Sequence, residues 1–242
     1  MRIAVVSDIH GNLVGLDACL ADLNAQGGAD AIVAAGDLCL DGPKSKKVLQ
    51  RLEEVGAQAI RGNTDRFVSQ PGDETFATIE QAQLEWTRSD LGEKWLRWLS
   101  ELPFAMRIGE DENQLLIVHA NPTNDDEHLW PDADEATLER LIGDERATTI
   151  AFGHLHLPYV RVWRGKMLVN VASAGLPKDG DARASYAIFT ERAGGWAVKH
   201  RRVEFDVKKV ATQLADCGIP GSAELIATLR RHRYKRFKGF VP

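Results

Sequence analysis

Seven residues of this chain are of types that ligate metal ions, and they share one kind of place in the sequence. Asp8 and His10 stand one residue apart in SDIH. Asp37 closes AIVAAGD, Asn63 follows AQAIRG, His119 closes LLIVH, and His154 and His156 alternate in FGHLH. Taken singly, each pattern has a plainer reading. An Asp-x-His pair can be a cap or a local hydrogen bond, and an Asn in a Gly-Asn-Thr-Asp turn can simply tolerate left-handed backbone. Together they bring two carboxylates, one amide and four of the seven histidines. Hard oxygen and imidazole nitrogen donors without thiolate suit first-row divalent metals. Seven donors are too many for one such ion unless some only support the others. Two ions sharing a bridging carboxylate would use them all, and that arrangement serves phosphate-ester hydrolysis.

Each donor follows an apolar run of small and β-branched residues, the composition of a strand buried on both faces. Open α/β sheets collect their ligands at the C-terminal ends of such strands. The strand supplies rigidity, and the neighbouring glycines allow close approach of backbone. The opening third reads βαβαβ. IAVVS is followed by a helix from Leu13 to about Gln26, with Asn12 as N-cap. AIVAAGD follows, then a second helix with Pro43 in its first turn, ending near Gly56, and then the short strand AQAIRGN. This order implies parallel strands with right-handed crossovers. Between about Glu74 and Ser100, Leu84, Trp86, Leu91, Trp95, Trp98 and Leu99 recur at helical packing spacing.

From Phe104 onward strands dominate: FAMRI, QLLIVHA, TTIAFGH, YVRVW, MLVNVAS, SYAIFTE and WAVKHRRVEF. Turns such as Arg164-Gly165-Lys166 and Ala193-Gly194-Gly195 predict antiparallel meanders. Two helices close the chain, near Asp206 to Asp216 and Ser222 to Arg231. Neither a linker nor an internal repeat separates the halves. The expectation is therefore an α/β fold in a single domain over residues 1–242, each half giving one sheet, the two sheets packed together with helices outside.

Composition narrows the function classes. With 242 residues, 44% hydrophobic and 27% charged, the chain can bury a sizeable core. A net charge of −5 argues against an extended nucleic-acid partner. Only residues 230–238 are strongly basic, which reads as a solvated helix end and tail. Cys19, Cys39 and Cys217 are odd in number and lack a paired spacing, so they read as reduced packing residues. The chain opens without a signal-peptide pattern and holds no apolar segment long enough to span a bilayer. A cytoplasmic protein with no membrane partner is expected, and no pattern specifies an oligomeric state.

The ordered blocks SDIHGN, AGDLCLDG, RGNTD, IVHAN and FGHLH resemble those of the calcineurin-like metallophosphoesterases. A later stretch, NVASAGLPKDGDARASY from Asn170 to Tyr186, resembles the small phosphodiesterase branch of bacteria and archaea. The resemblance covers about three quarters of the chain. It implies a β-sandwich flanked by helices, binding two divalent ions. Manganese stands foremost, with iron, zinc, cobalt, nickel or magnesium as alternatives. Asp8, His10, Asp37 and His156 would hold the first ion, and Asp37, Asn63, His119 and His154 the second. A hydroxide bridging the ions would attack phosphorus in line, and Asn63 would also contact the phosphate.

Two positions depart from the family pattern. Thr64 stands where relatives often carry a histidine that contacts phosphate or protonates the leaving group, and Ala120 stands where many have glycine. Asp65 is a candidate proton donor in place of that histidine, with a turn role as its alternative. Arg61, Arg66, Lys178 and Arg183 lie near the motifs, and Arg66 and Lys178 are the candidates for substrate phosphate. The expected substrate is a small phosphodiester or nucleotide. A dinucleoside polyphosphate hydrolase is the alternative within the same chemistry. A non-catalytic scaffold like the retromer subunit of this fold is a remote one, since that branch has lost ligands.

Overall fold

β1 (Arg2–Val6) alternates its side chains between two cores, which explains why it is apolar on both faces. Ile3 and Val5 point one way and Ala4 and Val6 the other, all buried. The computed structural model describes residues 1–70, 72, 74–110 and 113–233, so residues 234–238 of the basic stretch lie outside the described residues. β1 pairs in parallel with β2 (Ala31–Ala35), which pairs in parallel with β3 (Gln58–Ile60). α1 (Leu13–Ala25) and α2 (Ser45–Glu54) make the crossovers. Asn12 caps α1 by accepting from the Gly15 amide at 2.9 Å, as expected. Pro43 lies in the turn before α2 rather than in its first turn.

The second sheet runs β4-β5-β6-β8-β7, from β4 (Ala105–Ile108), β5 (Leu115–Val118), β6 (Thr149–Phe152), β7 (Tyr159–Trp163) and β8 (Lys166–Asn170). β5, β6 and β8 are mutually parallel, so within this sheet the meander reading holds for the pairs β4–β5 and β7–β8, and it holds as well for the strands 184–192 and 195–203, which pair antiparallel across Ala193-Gly194-Gly195. α5 (Glu135–Ile142), which the sequence reading passed over, makes the β5–β6 crossover; the Asp134 side chain caps it at 2.9 Å.

The expectation of one sheet from each half needs correction. β9 (Ala184–Arg192) and β10 (Gly195–Val203) return to the first sheet, giving the order β10-β9-β1-β2-β3. β9 pairs antiparallel with β1, Ala4 opposite Ile188. Without β9 the buried β1 would leave a row of backbone polar groups unpaired along one edge. The result is an α/β fold of two mixed sheets packed as a sandwich, with helices outside.

Ile3, Val5, Val33 and Ile60 meet Leu115, Ile117, Ala151 and Val169 between the sheets. On the outer face of the first sheet lies α4 (Thr78–Ser100), whose Leu84, Leu91, Trp95 and Leu99 are buried against Leu16 and Val48. Its tryptophans serve packing, with Trp86 and Trp98 half-buried. α3 (Asn63–Ser69) starts directly after β3, and α6 (Val207–Asp216) and α7 (Ser222–Arg231) pack together. No helix among the described residues is long and apolar enough to cross a membrane. Cys19, Cys39 and Cys217 form no disulfide.

Candidate metal centre

The turns after the strands are strained, and the strain falls on the donors. Asp8 (φ 52°), His10 (φ 48°), Asp37 (φ 52°), His154 (φ 66°) and His156 (φ 56°) are all left-handed. Such backbone is costly for residues other than glycine and persists only where surroundings over-determine it. Here they do. Asp8 N donates to Gly36 O at 3.0 Å, His10 N to Asp37 O at 2.9 Å, and Ser173 Oγ to Asp8 O at 2.7 Å. Two glycines let neighbouring loops reach the carboxylates. A Cβ on Gly62 would lie 2.3 Å from Asp37 Oδ1, and one on Gly153 would lie 2.3 Å from Asp8 Oδ2.

The donors converge in two groups. Asp8, His10 and His156 offer atoms within 4.8 Å of one another, and so do Asp37, His119 and His154. In the first group His10 Nε2 lies 3.3 Å from His156 Nε2, and His156 Nε2 lies 3.1 Å from Asp8 Oδ1. In the second, His119 Nε2 lies 3.3 Å from Asp37 Oδ1 and 3.0 Å from Asn63 Oδ1. Asp37 also faces the first group, with Oδ2 3.6 Å from His10 Nε2. Thus all seven donors named from the sequence are brought together, the first sheet giving Asp8, His10, Asp37 and Asn63, the second His119, His154 and His156.

Three of the rings are oriented by backbone carbonyls. His119 Nδ1 donates to Ala35 O at 2.9 Å, His154 Nε2 to Asp126 O at 2.8 Å, and His156 Nδ1 to Leu176 O. A carbonyl only accepts, so each bond fixes a proton on the far nitrogen and turns the near one inward, as metal-ligating histidines require. The donor set therefore fits divalent ions.

Electrostatics follow the same division. Burial would raise the Asp8 pKa, but the His156 ring beside it and His119 beyond carry it to about 2. Burial is outweighed at Asp37 too, which His119, His10 and His154 hold well below the usual carboxylate range. Burial would lower His119, yet the charge and hydrogen bond of Asp37 push it up to about 10. Burial, reinforced by the charge of His119, takes His154 down to about 3; burial and Lys178 take His156 down to about 4. His154 and His156 are accordingly neutral near pH 7.

The other sequence candidates occupy different positions. Asp65 is fully buried at the start of α3, with Oδ1 accepting from the amides of Leu38 and Cys39 and Oδ2 from Gly62 N at 3.0 Å. Thr64 N donates to Asp37 Oδ1 at 3.0 Å, while its hydroxyl donates to Cys39 O. Arg66 is engaged by Asp125 at 3.1 Å and by Glu74, and Arg61 lies 3.9 Å from Asp125. Arg183 pairs with Asp181 at the surface. Lys178 is half-buried beside the donors; its amide donates to His156 O, and burial lowers its pKa against the pull of Asp41, Asp8 and Asp37. His128, which the sequence reading did not single out, has its ring 4.4 Å from that of His154. It follows no strand and repeats no motif, so nothing local marked it.

Residues 1–194 match the model of the calcineurin-like phosphoesterase superfamily domain. An uncharacterized protein of Methanocaldococcus jannaschii is 28% identical over 236 residues, 90% of this chain and 93% of its own length. The symmetrical bis(5'-nucleosyl)-tetraphosphatase of Pectobacterium carotovorum is 28% identical over 130 residues, 51% of this chain and 44% of that protein. Among solved structures, a metallophosphoesterase from Sphaerobacter thermophilus superposes with a TM-score of 0.76 at 25% identity, covering 96% of this chain and 99% of that one. The ordered motif blocks, the two groups of Asp and His donors and the shared sandwich have one common source: this chain belongs to the calcineurin-like phosphoesterase superfamily.

Proposed function

We propose that this protein hydrolyses small phosphodiesters with two divalent metal ions held by Asp8, His10 and His156 on one side, His119, His154 and Asn63 on the other, and Asp37 between them. The observation that carries this reading is the Asp37 carboxylate, whose two oxygens face the two groups at 3.6 Å and 3.3 Å. Bound there, the ions would supply Lewis acidity toward phosphate oxygens and acidify a water near neutral pH. The chain's own part is preorganisation. Carbonyls hold three rings, two of them already neutral, and the strained turns need no rearrangement to present their donors. Lys178 brings a cation for the substrate phosphate. Arg66, already paired with Asp125 and Glu74, has less charge to offer. The oxygen and imidazole donors suit first-row divalent ions; manganese is the first ion to load, with iron, zinc, cobalt, nickel or magnesium as comparisons.

A dinucleoside polyphosphate is the second reading. Both Thr64 and Asp65 turn their side chains inward, so the start of α3 presents no proton donor to a departing alkoxide. A phosphate leaving group needs none. The partial match to a tetraphosphatase supports the same reading.

The test loads the protein with manganese, measures ions per chain by mass spectrometry, and assays an aryl diester, an alkyl diester and a dinucleoside tetraphosphate. Aryl and anhydride substrates should turn over about 100-fold faster than the alkyl diester, the lower end of what a positioned acid contributes. Asp37→Asn should lose more activity than His10→Ala. A fully loaded protein that cleaves none of the three, or an Asp37→Asn variant with wild-type turnover, refutes the reading.

A further inference from the structure

The loop between β5 and α5 is built to hold a shape. Asn121 Oδ1 accepts from the amides of Thr123 and Asn124 at 2.9 and 3.0 Å, and Asn121 Nδ2 donates to Glu127 O at 2.8 Å. Asn124 Oδ1 in turn accepts from the amides of Asp126 and Glu127 at 3.1 and 2.6 Å. Side-chain bonds of this kind fix a loop conformation without a regular element. The loop places Asp126 O on His154 Nε2, and two residues later it places His128 against the same ring.

The His128 ring is held by its faces. Trp130 stacks on it at 5.3 Å and 8°, and His154 lies 4.4 Å away, tilted by 50°. Its edge, which carries both nitrogens, makes no hydrogen bond to the described residues, although the side chain is only half exposed and within electrostatic reach of Lys178, Asp126, Asp8 and His119. Neither ring nitrogen is a buried polar atom lacking a partner, so this edge is reached by solvent and can be offered to a ligand. This edge belongs to a ring packed on His154, a proposed metal ligand, and lies within electrostatic reach of Lys178, a setting that suits a phosphate.

We propose that His128 contacts the substrate, its ring edge hydrogen-bonding a phosphate oxygen beside His154, so that the β5–α5 loop supplies a specificity-determining residue. The inference rests on the phosphoesterase reading above.

His128→Phe keeps a ring between Trp130 and His154 but removes both nitrogens; His128→Asn keeps a hydrogen-bonding group. Each variant and the wild type, loaded with manganese, are compared for metal content, for inorganic phosphate affinity by calorimetry and for kcat/KM on an aryl diester. His128→Phe should retain wild-type metal content and bind phosphate about 10- to 100-fold more weakly, the loss expected for one hydrogen bond to a charged group, with kcat/KM falling in step. His128→Asn should recover part of both. If His128→Phe binds phosphate and turns over like wild type at full metal content, the assignment is wrong while the phosphoesterase reading stands. Loss of metal in His128→Phe overturns it as well, because the ring then serves His154 and not the substrate. A loaded wild type that cleaves no ester yet binds phosphate refutes the phosphoesterase reading, and the phosphate affinities still decide whether His128 is an anion contact.

Discussion

A ligating histidine must give up a proton or already lack one, and His119 differs from His154 and His156 in that respect. His154 and His156, at about 3 and 4, are neutral at pH 7, whereas His119, at about 10, keeps a proton shared with Asp37 in protein stripped of metal. His119 Nδ1 is committed to Ala35 O, so the proton to be lost is the one on Nε2. Metal loading at neutral pH should therefore release about one proton from this pair. Protons compete for His119 throughout the range below its pKa, so affinity at the Asp37 and His119 seat should rise with pH, about tenfold per unit around neutrality. Calorimetry in buffers of different ionisation enthalpy measures the proton count. Loading with no proton released would mean that the His119–Asp37 ion pair does not form.

At the scale of elements, the start of α3 sets the position of Asn63. Asp65 caps this helix from within, its carboxylate accepting from Gly62 N and from the turn that follows Asp37. It thereby ties two donor-bearing turns together. Burial and the charge of Asp37 raise its pKa to about 6, against the Gly62 amide and Cys39, so the carboxylate is held at some electrostatic expense. Asp65→Asn sets an amide N–H against Gly62 N–H and loses that bond. The expected cost is about 1–2 kcal/mol, read as a lower urea midpoint, with weaker metal retention and an unchanged ratio of aryl to alkyl hydrolysis. Unaltered stability together with a selective loss on alkyl esters would instead identify Asp65 as a proton donor.

Across the whole molecule, the candidate centre is a cross-link. Four donors come from the first sheet and three from the second, so ions held between them would clamp the sandwich along one rim. A ligand present at about 1,000 times its Kd stabilises the folded state by about 4 kcal/mol, and each kcal/mol moves Tm by roughly 2–4 °C in a protein of this size. Removing manganese with a chelator should thus lower Tm by roughly 8–16 °C. Equal Tm values for stripped and loaded protein, with loading verified by mass spectrometry, would show that the ions do not bridge the sheets.

The donors were legible because each sits immediately after its own strand, a short-range pattern that survives without knowledge of the partners. All ten strands of the described structure, the Asn12 cap and the two closing helices were legible for the same reason. α5 is equally local, with Asp134 as its cap, but its 8 residues stand between apolar strand runs that carry the stronger pattern. Only the tertiary structure decided the rest. β9 and β10 read as members of the second half until the exposed edge of β1 claimed them. Arg66 reads from sequence as a free cation, whereas in the fold it is ion-paired with Asp125, 59 residues away. The nitrogen that each of three rings turns inward is set by carbonyls 84, 28 and 20 residues away. Local sequence records what a residue can do, whereas its partner, and hence its charge and direction, depends on which distant segment the sandwich folds against it.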